Sequence, residues 1–562
     1  MNKKEQVTTV LFGGQAGDGV REAGINFGRL LTKLGYSVIV TASYPSLIRG
    51  GHNFTRVTFS NEEVYSDYSQ VDVLVGFNSE TITLHQKELK KSGLIIFDQI
   101  ETTIKPSKNT IGLPITKTAK IVGATPIMRS SLALGALCEY FKLSLNTLEE
   151  TFTETFKNKA ELNISLAREG FNIFKNLKIN LRKDVPLARL KNHNLLSGNQ
   201  ASAEGLMKAG LDAYIAYPMT PASSIQDHLA KRAHLNKIKV VQPESEVAVI
   251  NLALGSSFAG AKTAIGTSGG GFALCQEAFS LAGMTEIPLV VLEVQRPGPA
   301  TGMPTATGQG DLDFVRHAGH GEFPRLILSA GDQVEAYELS ALALNLTWKY
   351  QLPVIVLTDK HLAESFSNVS LPTKEIKLTN FKHWSGKGNY QRYALTNDGI
   401  SPLAFPGTKN TVVKTTSYEH DEFGLSTEDS AVTKIMQDKR FKKLSALKAE
   451  KIPRFKVFGN KQANTTVIFW GSTKGTILEA LKYLTKPVKL IQVLCLEPFA
   501  TTEFLKLIQG SKKIITVEGN HSGQLANLIQ GQTGVLIKNR ILRYDGLPFE
   551  PIALAKELTK KI

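Results

Sequence analysis

Cysteine is nearly missing from this chain. Cys138, Cys275 and Cys495 are spread along 562 positions, and no C-x-x-C pair occurs. The chain therefore cannot give four thiolates to an iron–sulfur cluster or to a cysteine-based zinc site. Each cysteine lies in largely apolar sequence, so buried free thiols are expected. Long hydrophobic runs are missing too. The longest, such as 287–292, are strand-sized and fall far below the ~18–20 residues that cross a bilayer. The opening Met1-Asn2-Lys3-Lys4-Glu5-Gln6 lacks the apolar core of a secretory leader. A cytoplasmic chain without membrane contact is expected. The net charge is +16, yet the lysines are scattered and not clustered with aromatics, so nucleic acid is not expected. Much of the excess reads as a solvated lysine-rich surface. An acidic protein partner or an anionic metabolite is the other reading.

What is present points to a large α/β protein. At 562 residues one hydrophobic core is not enough, and about three or four domains is the natural expectation. Hydrophobic residues at 42% and charged residues at 21% are ordinary for a globular chain. Strand-like runs alternate with helical stretches, which argues parallel sheets. A first unit spans 1–185, with strands at 8–12, 36–41, 71–77 and 94–98 and helices at 20–34, 130–141 and 147–174. A basic linker covers 176–194. A second unit, 195–365, has strands at 213–216, 240–242, 263–266, 289–293, 325–328 and 354–358. Residues 366–455 read as an extended polar connector ending in a charged helix near 428–450. A third unit, 456–562, has strands at 466–470, 488–492 and 513–518.

The first strand runs into Gly13-Gly14-Gln15-Ala16-Gly17-Asp18-Gly19 and then a helix. Glycines there let backbone N–H groups approach an anion at a helix N-terminus. The G-x-G-x-x-G spacing is not matched. Thr41-Ala42-Ser43 stands where an acidic residue would follow about twenty positions on, so an NAD site is not expected. Two readings stay open, a tight strand–helix turn and a phosphate-binding loop at Gly13, Gly14, Gly17 and Gly19. A second pair, Arg49-Gly50-Gly51-His52, is placed to line the same crevice.

The second unit holds the densest chemistry, between 217 and 314. In Tyr217-Pro218-Met219-Thr220-Pro221, two prolines hold the backbone extended and aim a threonine hydroxyl. The end of a strand in an open α/β sheet is where ligands bind. Pro243-Glu244-Ser245-Glu246 then opens a small-residue apolar helix, where a carboxylate would be half-buried. Glutamates at a helix start are often only capping partners. Gly266-Thr267-Ser268-Gly269-Gly270-Gly271 is a donor-rich loop at a strand end. Gln295-Arg296-Pro297-Gly298-Pro299-Ala300-Thr301-Gly302-Met303-Pro304-Thr305 continues to Gln309-Gly310-Asp311-Leu312-Asp313. One arginine among rigid turns, with hydroxyls nearby, suits a carboxylate ligand through a bidentate fork. His317 and His320 sit on glycine turns, which does not favour zinc. Tyr418-Glu419-His420-Asp421-Glu422 reads as a solvated or interface loop, and Trp470 as a core residue of the third unit.

In this order the motifs resemble the 2-oxoacid:ferredoxin oxidoreductases. Tyr-Pro-Met-Thr-Pro is similar to that family's Tyr-Pro-Ile-Thr-Pro signature, and the glutamate helix, Gly-Thr-Ser-Gly loop and Arg-x-Gly-Pro-x-Thr-Gly run follow it. The resemblance implies a gamma-type α/β domain at 1–185, a thiamine-diphosphate pyrimidine-binding alpha domain at 195–365 and a transketolase C-terminal-like domain at 456–562. It implies that Glu246 hydrogen-bonds the aminopyrimidine, with Tyr217 and Pro218 beside it. It also implies that Thr220, Arg296 and Thr305 hold the 2-oxoacid. Coenzyme A would capture the acyl group and ferredoxin would take the electrons. Gly17-Asp18-Gly19 looks like the start of a magnesium–diphosphate motif, but no paired asparagines follow, and Ser46-Leu47-Ile48 fills that neighbourhood. Magnesium, the diphosphate site and [4Fe-4S] clusters are therefore expected on a beta subunit, in an (alpha-beta)2 assembly. The gamma-then-alpha order most resembles 2-oxoglutarate enzymes. Pyruvate, branched-chain and aryl 2-oxoacids stay open as substrates, as do a transketolase-type stand-alone enzyme and a non-catalytic nucleotide-binding scaffold.

Overall fold

The computed structural model describes residues 7–45, 51–104, 108–177, 185–188, 190, 193–372, 376, 378 and 380–562. Ser46-Leu47-Ile48, Arg49 and Gly50, and positions 178–184 of the linker lie outside the described residues. Among the described residues no helix is long and apolar enough to cross a membrane. Three sheets organise the chain, and each is flanked by helices.

The first sheet runs in the order Thr110–Leu113, Leu89–Asp98, Val71–Gly76, Thr8–Gln15, His52–Ser60, Ser37–Ser43, Phe366–Val369, Asn194–Ser197. Its first four strands are parallel, as the alternation of strands and helices implied. The other half is antiparallel, which it did not imply. His52–Ser60 is rich in Thr and polar residues, and Asn53, Thr55 and Val57 are nonetheless buried. That alternation is the strand signal; hydrophobic runs alone do not show it. The two outermost strands come from either side of the second unit. The Asn368 side chain completes the seam, accepting from Val38 N at 2.8 Å and donating to Tyr36 O at 2.6 Å.

Helices pack on this sheet through Phe12, Phe27, Phe59 and Phe141, whose rings meet at 5.6–6.3 Å. Ser130–Phe141 and Ala160–Asn176 touch backbone to backbone. A Cβ at Gly135 would lie 1.8 Å from Ala167 O, and one at Gly170 2.0 Å from Leu132 O. Only glycine permits that approach.

The second sheet runs Cys495–Glu497, Leu326–Ser329, Pro353–Asp359, Leu289–Gln295, Thr263–Thr267, Ala213–Ile215, Lys239–Val241. All neighbours are parallel except Cys495–Glu497, which arrives antiparallel from the third unit. The third sheet is Phe455–Gly459, Lys489–Val493, Thr465–Trp470, Lys513–Glu518, Asn539–Leu542. Trp470 is fully buried, in a core that joins Ile468 and Ile491 to Ile327, Ile355 and Leu357 of the second sheet. It therefore belongs to a core shared by both units. The three cysteines are buried and free, as expected, and burial pushes Cys275 and Cys495 up to about 12.

The connector is anchored by charge. Its helix, Ser430–Ala449, turns Lys439 and Lys443 inward onto Glu286, with Lys439 Nζ at 2.8 and 3.0 Å from the two carboxylate oxygens. Arg392 completes the cluster through the carbonyls of Thr285 and Glu286. Burial pushes the Glu286 carboxyl up, but Lys439, Lys443 and Arg392 outweigh it and hold it well below the usual range. His420 is fully buried, stacked on Tyr393 at 3.8 Å, and Glu419 pairs with Arg440. The 418–422 segment is packed interface at these two residues, while Tyr418 stays exposed. Glu286→Gln strands buried cations without their counter-charge. It is expected to cost about 3–5 kcal/mol of stability, read as a large fall in melting temperature, with Glu286→Asp falling less.

Candidate active site

Thr220, Glu246 and Arg296 follow the carboxyl ends of the second sheet's parallel strands. Strand Ala213–Ile215 leads into the 217–221 loop, where Thr220–Pro221 is a cis peptide. Asn199 pins this loop by donating Nδ2 to Pro221 O at 2.8 Å. Arg296 follows strand Leu289–Gln295 and donates Nη1 to Thr220 O at 2.7 Å. Its Nε is buried with no partner among the described residues. Burial depresses the guanidinium pKa, and Asp311 partly restores it. The sequence thus places Thr220 and Arg296 in one contact.

Glu246 is the first residue of helix Glu246–Phe258, capped by Ser245 Oγ accepting from Ala248 N at 3.3 Å. The side chain is 4% exposed, more enclosed than its sequence suggested, and Oε1 has no hydrogen-bond partner among the described residues. Its enclosure depends on glycine. A Cβ at Gly271 would lie 2.2 Å from Thr267 Oγ1 and 2.6 Å from Glu246 Oε1. Two residues back, a Cβ at Gly269 would lie 2.5 Å from Asp311 Oδ2. The short helix Gly269–Leu274 therefore touches Glu246 on one side and Asp311, the neighbour of Arg296, on the other. Tyr217 and Pro218 stand exposed on the rim.

Thr305 is placed differently. It lines a cleft of about 80 Å³ with Thr41, Arg56, Asp67 and Lys360, facing the first sheet. No hydrogen bond among the described residues joins it to Thr220 or Arg296. At the N-terminal loop, Gly13 and Gly14 lie within strand Thr8–Gln15. Their Cβ positions are closed by Thr81 at 2.4 Å and Asp18 at 2.8 Å. Gly19 is closed by Ile127 O at 2.2 Å, while Gly17, at φ 102°, faces open space. Three of the four glycines thus have packing reasons. Gly17 and Gly19 also border a cleft of about 190 Å³ with Gln15, Arg21 and Thr55.

Sequence reading missed an acidic group beside Arg296. Glu293 is fully buried and faces the carboxyl of Asp311. Burial, then Asp311 and Asp359, drive its pKa well up. Asp311 is pushed up to about 6 by burial, against the opposing pull of Glu293 and Arg296. The signal was an acid inside the apolar run Leu289-Val290-Val291-Leu292-Glu293-Val294. Asp311 N donates to Gln295 Oε1 at 3.0 Å, and Gln295 Nε2 to Thr358 O at 2.9 Å.

Comparisons with known proteins define the family. Residues 204–439 match the family described as pyruvate flavodoxin/ferredoxin oxidoreductase, thiamine diphosphate-binding, and residues 9–173 match pyruvate ferredoxin/flavodoxin oxidoreductase. A 2-oxoacid:ferredoxin oxidoreductase subunit alpha from Sulfolobus sp is 33% identical, over 98% of this chain and 96% of its own. The 2-oxoglutarate oxidoreductase subunit KorA of Mycobacterium tuberculosis is 27% identical, over 96% and 89%. A solved structure is similar over 99% of this chain and 100% of its own, with TM-score 0.91 and 32% identity. It is the 2-oxoglutarate:ferredoxin oxidoreductase from Magnetococcus marinus with 2-oxoglutarate, coenzyme A and succinyl-CoA bound. The chain belongs to the 2-oxoacid:ferredoxin oxidoreductases. Within them it is an alpha subunit.

Asp311 gives a pH test. Its folded pKa lies above the unfolded value near ~3.9, so the folded state holds the proton more tightly. Asp311's contribution to stability is then fully present in acid and is lost as pH rises from about 4 to about 6. Asp311→Asn is expected to stabilise the chain by about 2 kcal/mol above pH 7 and by much less at pH 4, compared by thermal melts at both values.

Proposed function

We propose that this alpha subunit forms one half of an active site that oxidatively decarboxylates 2-oxoglutarate, passing the acyl group to coenzyme A and electrons to ferredoxin. The observation that carries the reading is Glu246 Oε1, a buried carboxylate oxygen without a hydrogen-bond partner among the described residues, beside Gly271, where a Cβ would lie 2.6 Å from it. An unpaired buried acceptor is costly unless a donor meets it, and the ring N–H of an aminopyrimidine is such a donor. When bound, thiamine diphosphate supplies the carbanion-stabilising centre for decarboxylation. Glu246 would hold the pyrimidine and a proton at that ring nitrogen. Arg296, committed to Thr220 O through one N–H, keeps its remaining donors for the substrate carboxylate, and Thr220 offers its hydroxyl. Thr305, in its cleft toward the first sheet, would meet the substrate from the acyl-acceptor side. The Gly17–Gly19 turn at the start of helix Val20–Lys33 would take a phosphate of coenzyme A.

A beta subunit carrying magnesium, the diphosphate site and [4Fe-4S] clusters would complete the centre, in an (alpha-beta)2 assembly. The rim supports such a cover. Tyr217 is exposed, as are Val247 and Leu252 on helix Glu246–Phe258 and Leu274 at the end of Gly269–Leu274, and exposed apolar side chains on neighbouring elements favour a docking surface. The bound ligands of the Magnetococcus marinus relative favour 2-oxoglutarate over pyruvate and branched-chain or aryl 2-oxoacids.

In the complex co-purified with its beta subunit, Glu246→Gln is expected to lower 2-oxoacid-dependent reduction of a low-potential dye at least about 100-fold. Activity equal to the parent complex sinks the assignment. Across a panel of 2-oxoacids the parent complex is expected to show its highest kcat/KM with 2-oxoglutarate, and a higher value with pyruvate would reassign the substrate.

A further inference from the structure

We propose that the third unit acts as the positioning template for the substrate loop, through a reciprocal clamp made by Gln309 and Gln524. This rests on Arg296 being the carboxylate-binding residue. In the third sheet, strand Thr465–Trp470 lies between Lys489–Val493 and Lys513–Glu518. The chain leaves Thr465–Trp470 toward one side of the sheet and leaves Lys513–Glu518 toward the other. The crevice beyond the carboxyl ends of these two strands is therefore the switch point at which open α/β sheets bind ligands.

Here the crevice is filled by a side chain of the same protein. Gln309, 2% exposed, donates its backbone N–H to Gly519 O at 2.7 Å and its Nε2 to Trp470 O at 3.1 Å. Its Oε1 accepts from Gly519 N at 2.8 Å. The residues after the two strands are both glycine, and both make room for it. A Cβ at Gly471 would lie 2.6 Å from Gln309 Nε2, and one at Gly519 3.1 Å from Gln309 Cγ. The third unit returns the contact. Gln524, opening helix Gln524–Thr533, donates Nε2 to Gly310 O at 2.8 Å and accepts from Asp313 N at 3.2 Å. Thr307 N adds a bond to Gly546 O at 3.0 Å.

Residues 307, 309, 310 and 313 are thus held by the third unit, while Asp311 between them turns back to Gln295 and Arg296. The clamp fixes Asp311, Asp311 N–H holds the side chain of Gln295, the residue before Arg296, and Arg296 meets the substrate carboxylate. Gln309 and Gln524 are positioning residues. Their loss should loosen substrate binding more than turnover, because a displaced guanidinium weakens ground state and transition state alike.

In the alpha–beta complex, Gln309→Met keeps the volume and removes the two side-chain bonds to Trp470 O and Gly519 N. It is expected to raise KM for the 2-oxoacid at least about fivefold with kcat changed less than about twofold. Gly519→Ala, which presses the same side chain from the other side, should raise KM in the same direction with a smaller effect. Gln309→Glu, which keeps the acceptor for Gly519 N, should fall between Met and the parent. Glu550→Ala, which removes a helix cap that makes none of the clamp's hydrogen bonds, is the control for stability alone. The proposal is overturned if Gln309→Met and Gly519→Ala leave KM unchanged, or if Glu550→Ala with a matched loss in melting temperature raises KM equally. Arg296→Lys separates the two readings. If it raises KM and the clamp variants do not, only the clamp fails; if it leaves KM unchanged, the carboxylate role fails and the clamp with it.

Discussion

Parallel pairing of Leu289–Gln295 with Pro353–Asp359, unbroken over seven residues, sets Glu293 opposite Leu357 and Gln295 opposite Asp359. Everything polar in the site takes its place from that register. Side chains alternate along a strand, so the end of Leu289–Gln295 delivers an acid, an amide and then, one residue on, the guanidinium of Arg296. The neighbouring strand Thr263–Thr267 ends level with Glu293 and releases the glycine loop that separates Glu246 from Asp311. A slip of one residue would exchange these side chains with the apolar ones beneath them.

Two buried glutamates show how differently one interior can treat the same group. Glu335 has both oxygens engaged. Lys474 and Lys456 meet Oε1 at 2.6 and 2.8 Å, while Gln492 Nε2 and Gly331 N meet Oε2 at 2.6 and 2.8 Å. Burial pushes its pKa up, but the two lysines outweigh it and hold it ionised across the seam between second and third units. Glu293 has no cation beside it among the described residues, and burial with Asp311 and Asp359 drives it the other way, toward the neutral acid. The first arrangement joins units, and the second lies two residues before Arg296. An unpaired buried charge is expensive, so one interior keeps Glu335 ionised with lysines and Glu293 neutral without them.

The parts of the site that were legible in the sequence were those carried by one continuous stretch. Pro218 and Pro221 frame Thr220, Arg296 ends an apolar strand, and Glu246 opens a small-residue helix; each is visible without knowing the fold. The parallel strands of the second unit were legible from their apolar runs for the same reason. Gln309 was visible only as one residue of a motif, because its partners, Trp470 O and Gly519, are backbone atoms more than 150 positions away. Glu293 was hidden because a single acid in a strand shows its type and not its surroundings. In the antiparallel half of the first sheet only Ser37–Ser43 was legible, because the other strands are short or polar. Two of them are stabilised by pairing with elements on the other side of the second unit.

That pairing has a consequence for dissecting the molecule. Asn194–Ser197 and Phe366–Val369 lie side by side, so the second unit leaves the first sheet and returns to it at a single doorway, as an insertion between adjacent strands. Cutting the chain at 193 would strip both strands away together. Ser37–Ser43 would then become a naked margin of open N–H and C=O groups, the kind of surface on which sheets of separate molecules join.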